Sequence, residues 1–64
     1  MNESLVNFRN CKNLTQRNMA ESIKTTLSYY SKIELGLKNP SYNFIVKFKL
    51  AFPNAKIDEI FFKN

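Results

Sequence analysis

The sequence predicts an all-α fold of five short helices, and three observations carry that reading. Apolar residues recur at three- and four-residue intervals, the period that lines one face of a helix. Thr15, Thr26 and Ser41 each stand just before such a run, where a hydroxyl can accept a hydrogen bond from an otherwise free helix N–H. Gly36, Pro40 and Pro53 punctuate the chain where the runs stop. Length sets the scale: a chain of 64 residues buries little more than half of its unfolded surface, so one core in one domain spanning residues 1–64 is expected.

In the first element, Leu5, Phe8 and Cys11 recur every three residues and define a helix from about Glu3 to Lys12. Asn13 suits the left-handed conformation that often ends a helix. Thr15 then caps a second helix that starts at Gln16, with Leu14 packing against Met19 as a hydrophobic staple and Met19, Ala20 and Ile23 on the buried side. Lys24 and Thr25 lead to Thr26, which caps a third helix running from about Leu27 to Leu35. Tyr30 and Ile33 share the inner face of this helix, Leu27, Ser28, Tyr29 and Lys32 fall elsewhere, and Gly36 supplies the stop.

The fourth segment, Asn43 to Phe52, reads two ways. Phe44, Val46, Phe48, Leu50 and Phe52 alternate like a half-buried strand, whereas Tyr42, Ile45, Phe48 and Phe52 fit a helix. A lone strand would have no partner elsewhere in the chain, while a helix closes its own hydrogen bonds, so helix is preferred. Pro53 and Asn54 end it. Ile57, Ile60 and Phe61 define a short fifth helix opening near Asp58, where Asp58 and Glu59 suit a helix N-terminus. The expected core is Tyr30, Ile33, Met19, Ala20, Ile23, Ile45, Phe48 and Phe52.

Composition narrows the functional classes. With no His to act as a base near neutral pH and a single Cys11 with no imidazole to activate it, the chain does not read as an enzyme. One thiol and scattered carboxylates make no metal site, and no cofactor is expected. No apolar stretch exceeds three residues, as at Phe44 to Val46, which is far too short to cross a bilayer; the first ten residues carry no apolar run of a signal peptide, and a lone Cys forms no internal disulfide, so a cytoplasmic protein is expected. Ten Lys and Arg against five Asp and Glu give a formal charge of +5 and a pI near 9.6, which favours a polyanionic partner, with nucleic acid first and an acidic protein surface second.

Two short helices joined by a turn of a few residues, the second with a polar and basic outer face, make a helix-turn-helix over about residues 15–35. Leu14-Thr15-Gln16, Ala20, Ile23, Thr26, Tyr30, Ser31-Lys32-Ile33-Glu34, Gly36 and Asn39-Pro40-Ser41 stand in the order and spacing of the lambda-repressor-like family of Cro and phage-repressor type. Leu5, Phe8 and Arg9 resemble that family's first helix, and Ile57 to Phe61 its last, so the resemblance covers nearly the whole chain. It implies a five-helix domain that binds double-stranded DNA sequence-specifically, commonly as a homodimer, in a bacterial or phage-infected cell, with no membrane and no small-molecule ligand. Lys24 departs from the pattern: it stands where the family most often has Gly, which requires either a positive φ at a lysine or a different turn. Lys49 replaces a usual small apolar residue, and Pro53 to Lys56 resembles a longer variant of the family's last loop.

The resemblance also implies residue roles. Gln16 would touch a phosphate at the start of helix two, and Thr26 would cap helix three and bring its start to the DNA backbone. Leu27, Ser28 and Lys32 correspond to positions facing base edges, with Tyr29 alongside; Leu27 either meets an apolar surface such as a thymine methyl or packs on a neighbouring turn, and Lys32 can donate to guanine or to phosphate. Lys38 and Asn39 are expected backbone anchors, with Arg17 and Lys24 as weaker ones. Arg9 and Glu34 are expected to pair and tie helix one to helix three. Phe61 and Phe62 cannot both face the core from a short helix, so one is a candidate dimer contact. Two other readings are kept: a recombination or antitoxin-type accessory factor that also binds DNA, and a protein-interaction module that inhibits another regulator.

Overall fold

The computed structural model describes residues 1–62, and its described elements are five α-helices: α1 (Glu3–Cys11), α2 (Gln16–Ile23), α3 (Leu27–Glu34), α4 (Tyr42–Ala51) and α5 (Ile57–Phe61). The fourth segment is a helix, and no strand occurs among the described residues. The starts of the first four helices trace to side-chain caps, whereas α5 begins after Lys56 with no side-chain cap. Thr15, Thr26 and Ser41 accept hydrogen bonds from the N–H groups of Asn18, Tyr29 and Phe44 and so start α2, α3 and α4. At α2 the Asn18 side chain also accepts from the Thr15 N–H, completing a capping box. α1 starts at Glu3 as expected, and Asn2 caps it by accepting from the Leu5 N–H.

The ends of α1, α2 and α3 rest on left-handed residues. Asn13 has φ 57°, Gly36 has φ 79° and Lys24 has φ 66°, so of the two possibilities at Lys24 the chain takes the positive φ. A lysine there leaves its Cβ close to the following carbonyl oxygen, which costs about 1–2 kcal/mol against a right-handed residue.

The core joins all five helices: Leu5 from α1, Met19, Ala20 and Ile23 from α2, Tyr30 and Ile33 from α3, Phe44 and Phe48 from α4, and Ile60 from α5, with Ala55 from the last loop. Phe44 and Phe48 anchor an aromatic cluster in which Phe61 meets both rings edge-on, at 5.9 and 5.1 Å between centroids. Two expectations need correction here. On the buried face of α4, Phe48 lies where expected, but its partner is Phe44 rather than Tyr42, Ile45 and Phe52. Tyr42 is exposed, while Ile45 and Phe52 lie half-buried at the rim. Both faces of this segment are apolar, so period alone could not fix its register; Phe44 wins because its ring meets Tyr29, Tyr30 and Phe61 as well as Phe48. Cys11, expected on the inner face of α1, is exposed at that helix's last turn. Lys49 does not disturb the packing of α4: its ammonium reaches the Ala55 carbonyl at 2.9 Å and ties the helix to the last loop.

Candidate nucleic-acid interface

The turn between α2 and α3 is three residues long, Lys24 to Thr26, and every part of it is held. The Thr25 N–H donates to the Ala20 carbonyl at 2.9 Å across the left-handed Lys24, closing the end of α2. Thr26 then starts α3 through its bond from Tyr29 N–H at 3.1 Å. Met19, Ala20 and Ile23 face Tyr30 and Ile33 across this corner in one buried cluster, which fixes how α3 is presented.

A polar hub holds the other end of α3. Glu34 is only 3% exposed, and three side chains converge on its carboxylate: Arg9 Nε donates at 2.7 Å, Gln16 Nε2 at 2.9 Å and the Tyr30 hydroxyl at 2.5 Å. Arg9 also donates to the Leu14 carbonyl at 3.0 Å, and Ser31 Oγ donates to Gln16 Oε1 at 3.1 Å. The hub therefore ties α1, the α1–α2 turn, α2 and α3 together, and no buried side-chain polar atom among the described residues lacks a partner. Burial alone pushes the Glu34 carboxyl up, but hydrogen bonds from Arg9, Tyr30 and Gln16 and the Arg9 charge outweigh it and hold the group below the usual carboxylate range. Its hydrogen bond to Glu34 raises Arg9 further, and burial followed by the Glu34 contact raises the Tyr30 hydroxyl.

The expected contact residues fall into two groups. Ser28 and Lys32 project from the outer face of α3 and are exposed; Arg17, Lys24, Thr26, Lys38 and Asn39 are exposed around it. Leu27 and Tyr29 are only partly outward. Leu27 packs against the edge of the core, and the Tyr29 ring lies edge-on to Phe44 at 5.8 Å. The Tyr29 hydroxyl accepts from the Ser41 N–H at 3.3 Å, and Lys38 Nζ sits 6.0 Å from the ring centroid, so Tyr29 braces the loop that carries Lys38. Both polar ends of the Gln16 side-chain amide are engaged by the hub, which leaves its backbone N–H in the first turn of α2 as the group free to meet an anion. Phe61 is packed into the aromatic cluster, whereas Phe62 is 64% exposed.

The sequence reading did not connect Tyr30 or Ser31 with Glu34 and Gln16. Tyr30 stands four residues before Glu34 on one helix, the spacing at which side chains meet, and that is the signal that identifies its hydroxyl as a hub member. Ser31 carries no such signal, because its partner lies on another helix.

No group of acidic, Cys or His residues that could hold a metal ion occurs among the described residues, and no helix there is long and apolar enough to cross a membrane. Comparison with known proteins gives one match: a family model described as helix-turn-helix fits residues 7–53, from the second half of α1 through all of α2, α3 and α4. No curated protein and no solved structure matches significantly. With the caps, the left-handed turn and the outward polar face of α3 in place, the chain belongs to the lambda-repressor-like helix-turn-helix family of DNA-binding regulators.

Proposed function

We propose that the chain is a transcriptional regulator of Cro or short phage-repressor type, acting in the cytoplasm of a bacterial or phage-infected cell, that reads operator DNA with α3 in the major groove. One observation supports this above others: α3 is fixed on its inner side by the core and the Glu34 hub, while its outer side carries Ser28 and Lys32. A rigid helix with a free polar face is what base readout requires. Ser28 and Lys32 are assigned to base edges, with the half-buried Leu27 at their margin. The Thr26 end of α3, the Gln16 backbone N–H, Arg17, Lys38 and Asn39 are assigned to phosphates. The regulator binds as a homodimer, and Phe62 is the assigned dimer contact.

The test is titration of binding to random duplex DNA against salt. Each phosphate neutralised contributes a slope of about −0.9 in log affinity against log salt, so a steep line is expected. A flat line, or no binding at low salt, refutes the reading and leaves a protein-interaction module in its place.

A further inference from the structure

The outer face of α4 is apolar in a place where the core does not need it. Tyr42, Val46 and Leu50 follow one another at four-residue intervals and are 81%, 38% and 76% exposed. Each lies two residues, or about 200° of helix rotation, from the buried pair Phe44 and Phe48, so the three form a stripe on the opposite side of the helix from the core. The stripe is about 12 Å long, two turns of helix. Cations flank it. Lys49 lies on one side with its ammonium bonded to the Ala55 carbonyl at 2.9 Å, and Lys47 lies on the other with its ammonium 3.4 Å from the Lys24 carbonyl. Lys24 itself is exposed beside Lys47, and α4 contains no acidic residue.

We propose that this face docks an acidic amphipathic helix of another protein, which sets its apolar residues on Tyr42, Val46 and Leu50 and its carboxylates against Lys47 and Lys49. The lysines decide between occupants. A second copy related by a two-fold axis would bring the same face onto itself and place Lys47 and Lys49 of both copies around one apolar contact, where like charges oppose association. An acidic helix removes that repulsion and turns it into attraction, and a groove or face of this kind is read by anchors at the same helical spacing. The face is separate from the outer side of α3, so the proposal does not depend on the DNA assignment.

The experiment uses the full chain and two synthetic peptides, each a helix-forming sequence with leucines four residues apart. One peptide carries glutamates on both flanks of the leucines, and the other carries lysines instead. Backbone amide shifts of the protein are followed during each titration. The acidic peptide is expected to bind, with the largest shifts over residues 42–50, and the basic one is not. Leu50→Ser and Lys47→Glu are each expected to weaken the acidic peptide at least about tenfold, or 1.4 kcal/mol, without altering the rest of the spectrum, since both side chains are exposed. Equal binding of both peptides, or shifts centred away from α4, overturns the proposal. Shifts over residues 42–50 that follow protein concentration alone give the face to a second copy, and shifts there on adding duplex DNA alone give it to DNA; either result also overturns it.

Discussion

At the scale of single residues, Glu34 is the position on which most depends. Its carboxylate is buried and accepts from three side chains on three helices, so removing one charged partner strands the other. Arg9→Ala and Glu34→Ala are each expected to cost about 3 kcal/mol in urea melts, and loss of under about 1 kcal/mol for either would show the pair to be peripheral. The pH dependence has a definite sign. A carboxyl held low in the folded chain contributes stability that is complete above the unfolded value of about 4.3 and is lost as pH falls through the folded value. A phenol held high contributes stability that is complete below about pH 10 and is lost as pH rises past it. Urea midpoints should therefore fall on both sides of a plateau, and Glu34→Gln should flatten the acid limb relative to the parent. Lys24 offers a second test: Lys24→Gly relieves the left-handed strain and is expected to stabilise by about 0.5–1 kcal/mol after the extra freedom of glycine in the unfolded chain is subtracted. The left-handed ends were legible at Asn13 and Gly36, whose residue types favour that conformation. At Lys24 it was legible only as one of two possibilities, because nothing in a lysine calls for a positive φ.

At the scale of elements, the helix starts were the clearest part of the sequence, because a Thr or Ser before an apolar run has one good use. Thr15→Ala and Thr26→Ala are each expected to lower stability by about 1 kcal/mol, and unchanged urea midpoints for both would contradict the assigned starts. The register of α4 was not legible. Phe44, Ile45, Val46, Phe48, Leu50 and Phe52 present apolar groups around most of the helix, and the choice between them is made by rings on α3 and α5 that no local pattern reveals. The same excess leaves Tyr42, Val46 and Leu50 outside. On α3 the outer face was legible in composition but not in depth. Leu27 and Tyr29 share that face in the sequence, yet one packs against the core and the other braces the loop before α4, which leaves Ser28 and Lys32 as the residues that stand free.

At the scale of the whole molecule, charge and shape set how the chain meets a duplex. A homodimer places two copies of α3 in successive major grooves, so its site is an inverted repeat with half-site centres about 34 Å apart, and inserting half a helical turn of DNA between the halves should abolish tight binding. Phe62→Ala is expected to weaken binding to the full repeat while leaving affinity for a single half-site unchanged. The most direct measurement compares Lys32→Ala and Lys38→Ala on a duplex selected for tight binding and on a scrambled duplex, each across a salt series. Lys32→Ala should lose about 1 kcal/mol or more on the selected duplex and much less on the scrambled one, because it removes a contact to a base edge. Lys38→Ala should weaken both duplexes about equally and reduce the salt slope by about one, because one fewer counterion is released. If Lys32→Ala weakens both duplexes alike, or Lys38→Ala weakens only the selected one, the assignment of α3 as the reading helix is contradicted.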